Sequence, residues 1–186
     1  MKKLFIPVVL GTVRVGRSSE HVANFVVEQI NRRDDMEAQL FDVRDMELPK
    51  NQYGTEAVGS VPEWQAAVLK ADGIVVIAPE YNHSFPGTLK TFMDTLLKEY
   101  IHRAVGLVGV SAGPWGGTRV IESMVPMVRE LGLMVTFTDL QFPFVSKSFD
   151  ESGNMVDEKA SKRSQKFLDE LAWVSTSLKW GRDNLA

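Results

Sequence analysis

The chain has 186 residues, of which 44% are hydrophobic and 24% charged, with a formal net charge of -3. That balance predicts one globular domain over residues 1–186, long enough to bury most of its apolar surface, and without a basic stripe it offers nucleic acid no footing. The absence of cysteine excludes disulfides, thiolate metal sites and a cysteine nucleophile, and His21, His83 and His102 lack metal-ligand spacing.

In chain order, LFIPVVLG (4–11) reads as a first strand. MKKLFIPVVLG (1–11) reads better as a buried strand than as a signal peptide: the apolar run is short, Arg14 and Arg17 follow at once and no small-residue cleavage site appears. No run reaches membrane-spanning length, so the cytoplasm is the expected location. Residues 18–32 form an amphipathic helix opened by Ser18 or Ser19 as N-cap. EAQLFDV (37–43) is a strand. The polar loop over 43–61 follows, long enough to serve as a lid or partner surface unless a short helical turn fills it. A helix over 62–71 leads to GIVVIAP (73–79), the most apolar strand. The next helix, 89–100, carries Leu89, Phe92, Met93, Leu96, Leu97 and Tyr100 on one stripe. VGLVGVSA (105–112) is a fourth strand, 117–131 a helix, MVTFTDL (134–140) a fifth strand and 157–180 the last helix.

Five β-α units with near-continuous apolar strands predict an α/β three-layer sandwich, with helices on both faces of a parallel sheet. Right-handed crossovers favour the flavodoxin-like order 2-1-3-4-5, which places a ligand site at the carboxyl ends of the first and third strands. Pro7 sits inside the proposed first strand and removes a ladder donor, which a bulge would have to absorb.

Two loops leave those carboxyl ends. The first, VVLGTVRVGRSS (8–19), places Gly11, Gly16, Arg17 and Ser18 one residue away from a nucleotide-binding P-loop. A strand-to-helix turn collects free backbone N–H groups at the positive end of a helix dipole. Thr12, Ser18 and Ser19 add hydroxyls, and Arg14 and Arg17 add charge. Arginine does not replace the P-loop lysine, and APEYN ends the third strand without a magnesium-binding aspartate, so a triphosphate is disfavoured. Taken alone, the loop fits a phosphate site and a solvated turn equally well. The second loop, PEYNHSFPGTLKTFMD (79–94), is fixed by two prolines and a glycine; it offers flat Tyr81, His83 and Phe85 and polar Glu80, Asn82 and Ser84.

Together these segments resemble the NADPH-dependent FMN reductase family, which includes quinone, chromate and azo-dye reductases. The resemblance rests on Gly11-Thr12-Val13-Arg14 with Ser18 and Ser19, on Pro79-Glu80-Tyr81-Asn82 with Ser84, Pro86-Gly87, Leu89-Lys90 and Asp94, and on Ser111 to Arg119 with its Gly116-Gly117 pair. The second-strand exit, DVRDMELP (42–49), is similar too. The resemblance implies that Thr12, Arg14, Ser18 and Ser19 hold the FMN phosphate. It implies that Pro79, Glu80, Tyr81, Asn82, His83 and Ser84 line the isoalloxazine ring, largely through backbone amides, and that Ser111, Gly113, Trp115, Gly116 and Gly117 border its other side.

The implied reaction draws two electrons from NADPH (or NADH) through FMN to a small acceptor, a quinone, free flavin, azo compound or metal oxyanion, with ping-pong kinetics. No side chain acts as a catalytic acid or base and no metal takes part. A homodimer or homotetramer is implied; Trp173 and Trp180, seven residues apart on one face of the last helix, are expected to pack on the sheet or on a second subunit. The alternatives are a flavodoxin-type electron carrier and a flavin-binding regulator; a carrier fits poorly with two arginines in the phosphate loop and a charge of only -3.

Overall fold

A computed structural model describes residues 2–52 and 54–185. Among these, the strands are β1 (Leu4–Leu10), β2 (Met36–Asp42), β3 (Gly73–Pro79), β4 (Ala104–Val110), β5 (Met134–Val135) and β6 (Leu140–Phe142), and the helices are α1 (Ser19–Asn31), α2 (Pro62–Lys70), α3 (Gly87–Met93), α4 (Thr118–Glu130) and α5 (Glu158–Asn184). The sheet runs β2-β1-β3-β4-β5, all parallel, with β6 also pairing with β4. This is the predicted order. Strand residues alternate between two cores as their side chains alternate faces. Val9, Val76, Ala78 and Leu107 meet Trp64, Phe92, Val120 and Met124 beneath α2, α3 and α4. Val8, Leu10, Ile77 and Val108 meet Val22, Phe25, Ile30, Phe167 and Leu171 beneath α1 and α5. Burying each large side chain contributes about 1.5–3 kcal/mol, so both faces lock the strands in register. No described helix is long and apolar enough to cross a membrane.

Pro7 needs no bulge. Register with β2 is continuous from Leu4↔Met36 to Leu10↔Asp42. Phe5 N donates to Asp72 Oδ2 and Gly11 N to Ile77 O, both on the β3 side. Alternation puts the Pro7 nitrogen on that same side. The ladder with β3 begins only at Val8, so the missing donor costs the sheet nothing.

Several boundaries differ from expectation. The helix expected over 89–100 stops at Met93. Thr95 Oγ1 donates to Phe92 O while Thr95 O accepts from Gly59 N, and this long-range bond takes the carbonyl that a continuing helix would use. The apolar stripe stays buried apart from Leu97. The strand expected over 134–140 is two short ones. Thr136 Oγ1 donates to Thr138 O, a local side-chain bond that competes with the ladder, and Phe137 turns out to solvent. Met134 is half exposed. The last helix runs on to Asn184 and is capped by Asp157, whose carboxylate accepts from Lys159 N. The 43–61 stretch contains two short 3-10 turns, Val43–Asp45 and Gly54–Glu56, and sends Ala57 and Val61 into the core. Trp173 and Trp180 project from α5 into solvent and do not pack on the sheet.

Candidate functional site

The carboxyl ends of β1, β3 and β4 deliver three loops to one crevice of about 310 Å³, at the lower end of the ~300–1,000 Å³ usual for small-molecule sites. Its walls include Arg14, Arg17, Ser18, Ser19, Pro79, Glu80, Tyr81 and Ser111. Larger depressions of about 490 Å³ between α1 and residues 153–161, and about 470 Å³ around Lys70 and Lys179, lie elsewhere; neither faces the strands' carboxyl ends.

The loop from β1 to α1 is rich in unused donors. Arg14 N reaches Thr12 Oγ1 at 3.4 Å. Among the described residues the N–H groups of Val13, Val15, Gly16, Ser18 and Ser19 find no acceptor. Ser18 takes the N-cap position of α1 without a side-chain bond to the helix, so its hydroxyl is not consumed as a cap. Ser19 Oγ is buried and unpartnered, in a residue 2% exposed. Such a set at a helix N-terminus suits a phosphate monoester.

Thr12 and Arg17 play other parts than expected. Thr12 is 1% exposed, and its hydroxyl is hydrogen bonded to Tyr81 OH at 3.0 Å. That bond ties the first loop to the second across 69 residues of chain. Arg17, which in sequence stands where a P-loop lysine would, is buried and turned into the protein. Its guanidinium donates to the Thr12 carbonyl and pairs with Asp42, while its Nε, 3.5 Å from Glu20 Oε2, has no hydrogen bond.

The second loop is a tight turn. Tyr81 N donates to Ser84 O and Ser84 N to Tyr81 O, enclosing Asn82 and His83 at φ of 50° and 66°. Positive φ at both central positions is a type I′ turn, normally the province of Asn-Gly or Gly-Gly. A histidine held there carries strain on the order of 1 kcal/mol or more, and such strain clusters at binding sites. Among the described residues the Asn82 and His83 N–H groups find no acceptor.

Glu80 Oε1 lies 3.4 Å from Arg119 Nη1, and Oε2 is buried without a partner. The Arg119 guanidinium also lies 5.3 Å from the Trp115 ring centroid, within cation–π range. Trp115 is 62% exposed at the rim.

The third group divides. Ser111 lines the crevice and donates from Oγ to Gly113 O at 2.9 Å. Gly113 O also accepts from Phe144 N, so Gly113 serves the loop through its backbone. Gly117 caps α4 at φ 83°, and a Cβ there would collide with the Val110 nitrogen. Gly116 O accepts from Phe142 N. The glycine pair therefore lets α4 start directly against β4. Asn82, His83, Ser84, Gly113, Trp115, Gly116 and Gly117 stand beside the walls rather than in them.

Sequence reasoning missed Val145 and Ser146, which close the far side. They arrive because Val145 N donates to Ser111 O and because Phe144, at φ 45°, turns the chain inward. The Phe-Pro-Phe break after β6 was the available signal.

The crevice fits a flavin mononucleotide in its donor set. Unpaired N–H groups, Ser18, Ser19 and Arg14 stand at one end. Flat Tyr81 and the orphaned Glu80 carboxylate oxygen, able to accept from a ring N–H, line the same crevice, with the strained turn amides beside it.

The sequence profile of a family described as NADPH-dependent FMN reductase matches residues 5–147. The chain is 32% identical over 120 residues to an NADPH azoreductase of Bacillus sp. (strain OY1-2), a stretch covering 63% of this chain and 64%, just under two thirds, of that one. It is 24% identical over 178 residues to a 2-hydroxy-1,4-benzoquinone reductase of Burkholderia sp, covering 92% and 96%. It is 26% identical over 174 residues to an FMN-dependent NADPH-azoreductase of Staphylococcus haemolyticus, covering 88% and 91%. Among solved structures, a flavoenzyme NAD(P)H:(acceptor) oxidoreductase from Paracoccus denitrificans superposes with TM-score 0.75 at 17% identity, over 94% of this chain and 98% of that one. A flavodoxin from Streptococcus pneumonia TIGR4 superposes with TM-score 0.60 at 14% identity, over 91% and 98%. At these identities the structures establish the fold alone.

Proposed function

The chain belongs to the NADPH-dependent FMN reductase family, and from that premise we propose that it is an FMN-dependent NADPH oxidoreductase delivering two electrons to a small quinone or azo acceptor. The observation that carries this reading is the crevice that Ser18, the orphaned Ser19 hydroxyl and Arg14 share with Pro79, Glu80 and Tyr81, beside the strained 81–84 turn. Bound there, FMN supplies two-electron acceptance and donation. The protein's own work is binding and orientation. Ser18, Ser19, Arg14 and the loop amides take the phosphate; Thr12 holds Tyr81 in place from beneath. Pro79 to Ser84 line the ring, with the Asn82 and His83 amides as charge-stabilising donors of the oxyanion-hole kind. Ser111 and the 113–117 turn border the opposite side, and Trp115, braced by Arg119, shapes the rim.

The open rim leaves room for donor and acceptor in turn, which supports a ping-pong sequence. No acid or base side chain is needed. The whole chain acts as one FMN-binding domain, in the cytoplasm where NADPH is held. Exposed Trp173 and Trp180 on α5 supply apolar surface for a homodimer or homotetramer.

The test is steady-state oxidation of NADPH by the FMN-loaded protein with a benzoquinone and, separately, an azo dye, without any partner reductase. Parallel double-reciprocal lines are expected. Intersecting lines, or no turnover with either acceptor, would overturn the reading, the second outcome in favour of an electron carrier.

A further inference from the structure

The loop that is read as the phosphate site is held by two arginines whose guanidinia bond to the protein's own carbonyls. Arg44, in the 3-10 turn that leaves β2, donates from Nη2 to the Arg14 carbonyl at 2.6 Å. Arg17 donates to the Thr12 carbonyl. Asp42, the last residue of β2, serves both: Oδ2 pairs with Arg17, and Oδ1 accepts from Arg44 N at 2.9 Å. Glu20, on the first turn of α1, faces both guanidinia, 3.5 Å from Arg17 Nε and 3.9 Å from Arg44 Nη1.

A trans peptide is planar, with its C=O and N–H pointing in opposite directions. Tying back the Thr12 and Arg14 carbonyls leaves the other halves of those peptides, Val13 N–H and Val15 N–H, directed the opposite way. These are among the N–H groups without an acceptor in the described protein. A mobile eight-residue loop would have to order on binding, and fixing a residue's backbone costs on the order of 1–2 kcal/mol. A strap already in place in the free protein removes part of that cost.

We infer that Arg44 and Arg17, anchored on Asp42, are positioning residues that pre-set the 12–19 loop to receive a phosphate monoester. The inference rests on the FMN reading above. Arg44 is solvent exposed and can be replaced without opening the core.

The experiment compares the unsubstituted protein with Arg44→Gln. FMN and riboflavin affinities are measured by quenching of flavin fluorescence in ~0.5 M salt, where the Debye length of roughly 4 Å suppresses the bare loss of charge. Amide hydrogen exchange over residues 12–18 is followed in the protein without flavin. We expect FMN affinity to fall 5- to 20-fold with riboflavin affinity changed less than 2-fold, and the loop amides to exchange faster. Arg44→Lys, which keeps the charge and one donor, should restore part of the ratio. Arg17→Met with Asp42→Asn, which removes the buried pair together, should lower the FMN-to-riboflavin ratio in the same direction. An unchanged ratio, or unchanged loop exchange, would overturn the inference while leaving FMN binding intact. Failure of the unsubstituted protein to bind FMN would instead remove the functional reading, and this inference with it.

Discussion

Tyr81→Phe isolates the contact that joins the two halves of the crevice. It deletes one hydroxyl and keeps the aromatic face. The partner left behind, Thr12 Oγ1, belongs to a residue 1% exposed and retains only the 3.4 Å approach of Arg14 N. That distance lies outside the usual 2.7–3.2 Å range, so it compensates poorly. Leaving a buried hydroxyl short of a partner costs about 1–3 kcal/mol, and the residual bond places the loss at about 1–2 kcal/mol. Urea denaturation of the flavin-free protein reads this as a lower midpoint at unchanged slope. Because the same bond holds the 12–19 loop against the 79–84 turn, FMN affinity should fall as well. A share of about 0.7–1.4 kcal/mol in binding corresponds to a 3- to 10-fold higher Kd. Thr12→Val removes the stranded hydroxyl, so the double variant should lose less than the sum of the single ones, with a coupling of about 1 kcal/mol. If Tyr81→Phe changes neither midpoint nor Kd, or the two substitutions add independently, the loops are not joined as described.

Gly117→Ala should be among the most damaging small substitutions in the chain, because residue 117 has a φ of 83° and its added methyl meets the Val110 backbone; a loss of more than about 2 kcal/mol is expected in the same denaturation assay. Tyr100→Phe strands the Trp64 indole N–H, which donates to Tyr100 OH at 2.8 Å in the buried core; stability should drop by about 2–3 kcal/mol with FMN affinity unchanged, since the site lies on other elements. Asp139 has its pKa raised by burial and by nearby Glu122. The folded state therefore holds its proton to higher pH than the unfolded state, and stability falls as pH rises through that interval. Asp139→Asn should stabilise the protein at neutral pH, with the difference vanishing below the unfolded carboxylate value of about 3.9; a larger benefit in acid than at neutral pH would contradict this.

How far the sequence was legible follows the range of the forces involved. The alternation of apolar strands and amphipathic helices depends on local pattern, and it placed the sheet order and both faces correctly. Where a long-range bond competed, local pattern failed. Thr95 gave its carbonyl to Gly59, so α3 ended early; Thr136 bonded its own turn, so the fifth strand split. Pro7 looked like a defect only because the point at which β1 meets β3 cannot be read from β1 itself. In the site, Pro79, Glu80, Tyr81 and the serines after Gly16 pointed to the walls, since residue type there maps directly onto donors and aromatic faces, whereas Asn82 stands beside them. The partners of Arg17 did not announce themselves. A buried arginine and a phosphate-facing one look alike in sequence, and Asp42, which decides between them, lies 25 residues on. Val145 and Ser146 were hidden for the same reason: their place is set by the Ser111 carbonyl and the left-handed Phe144.

The central claim is that one crevice takes an FMN with its phosphate on the 12–19 loop and its ring against the 79–84 turn. Backbone amide NMR shifts during titration with FMN and then riboflavin test it most directly. FMN should move the amides of both segments, and riboflavin chiefly those of residues 79–84 and 111–117. Shifts from FMN that fall instead on the groove between α1 and residues 153–161, or that are the same for the two flavins along residues 12–19, would contradict it.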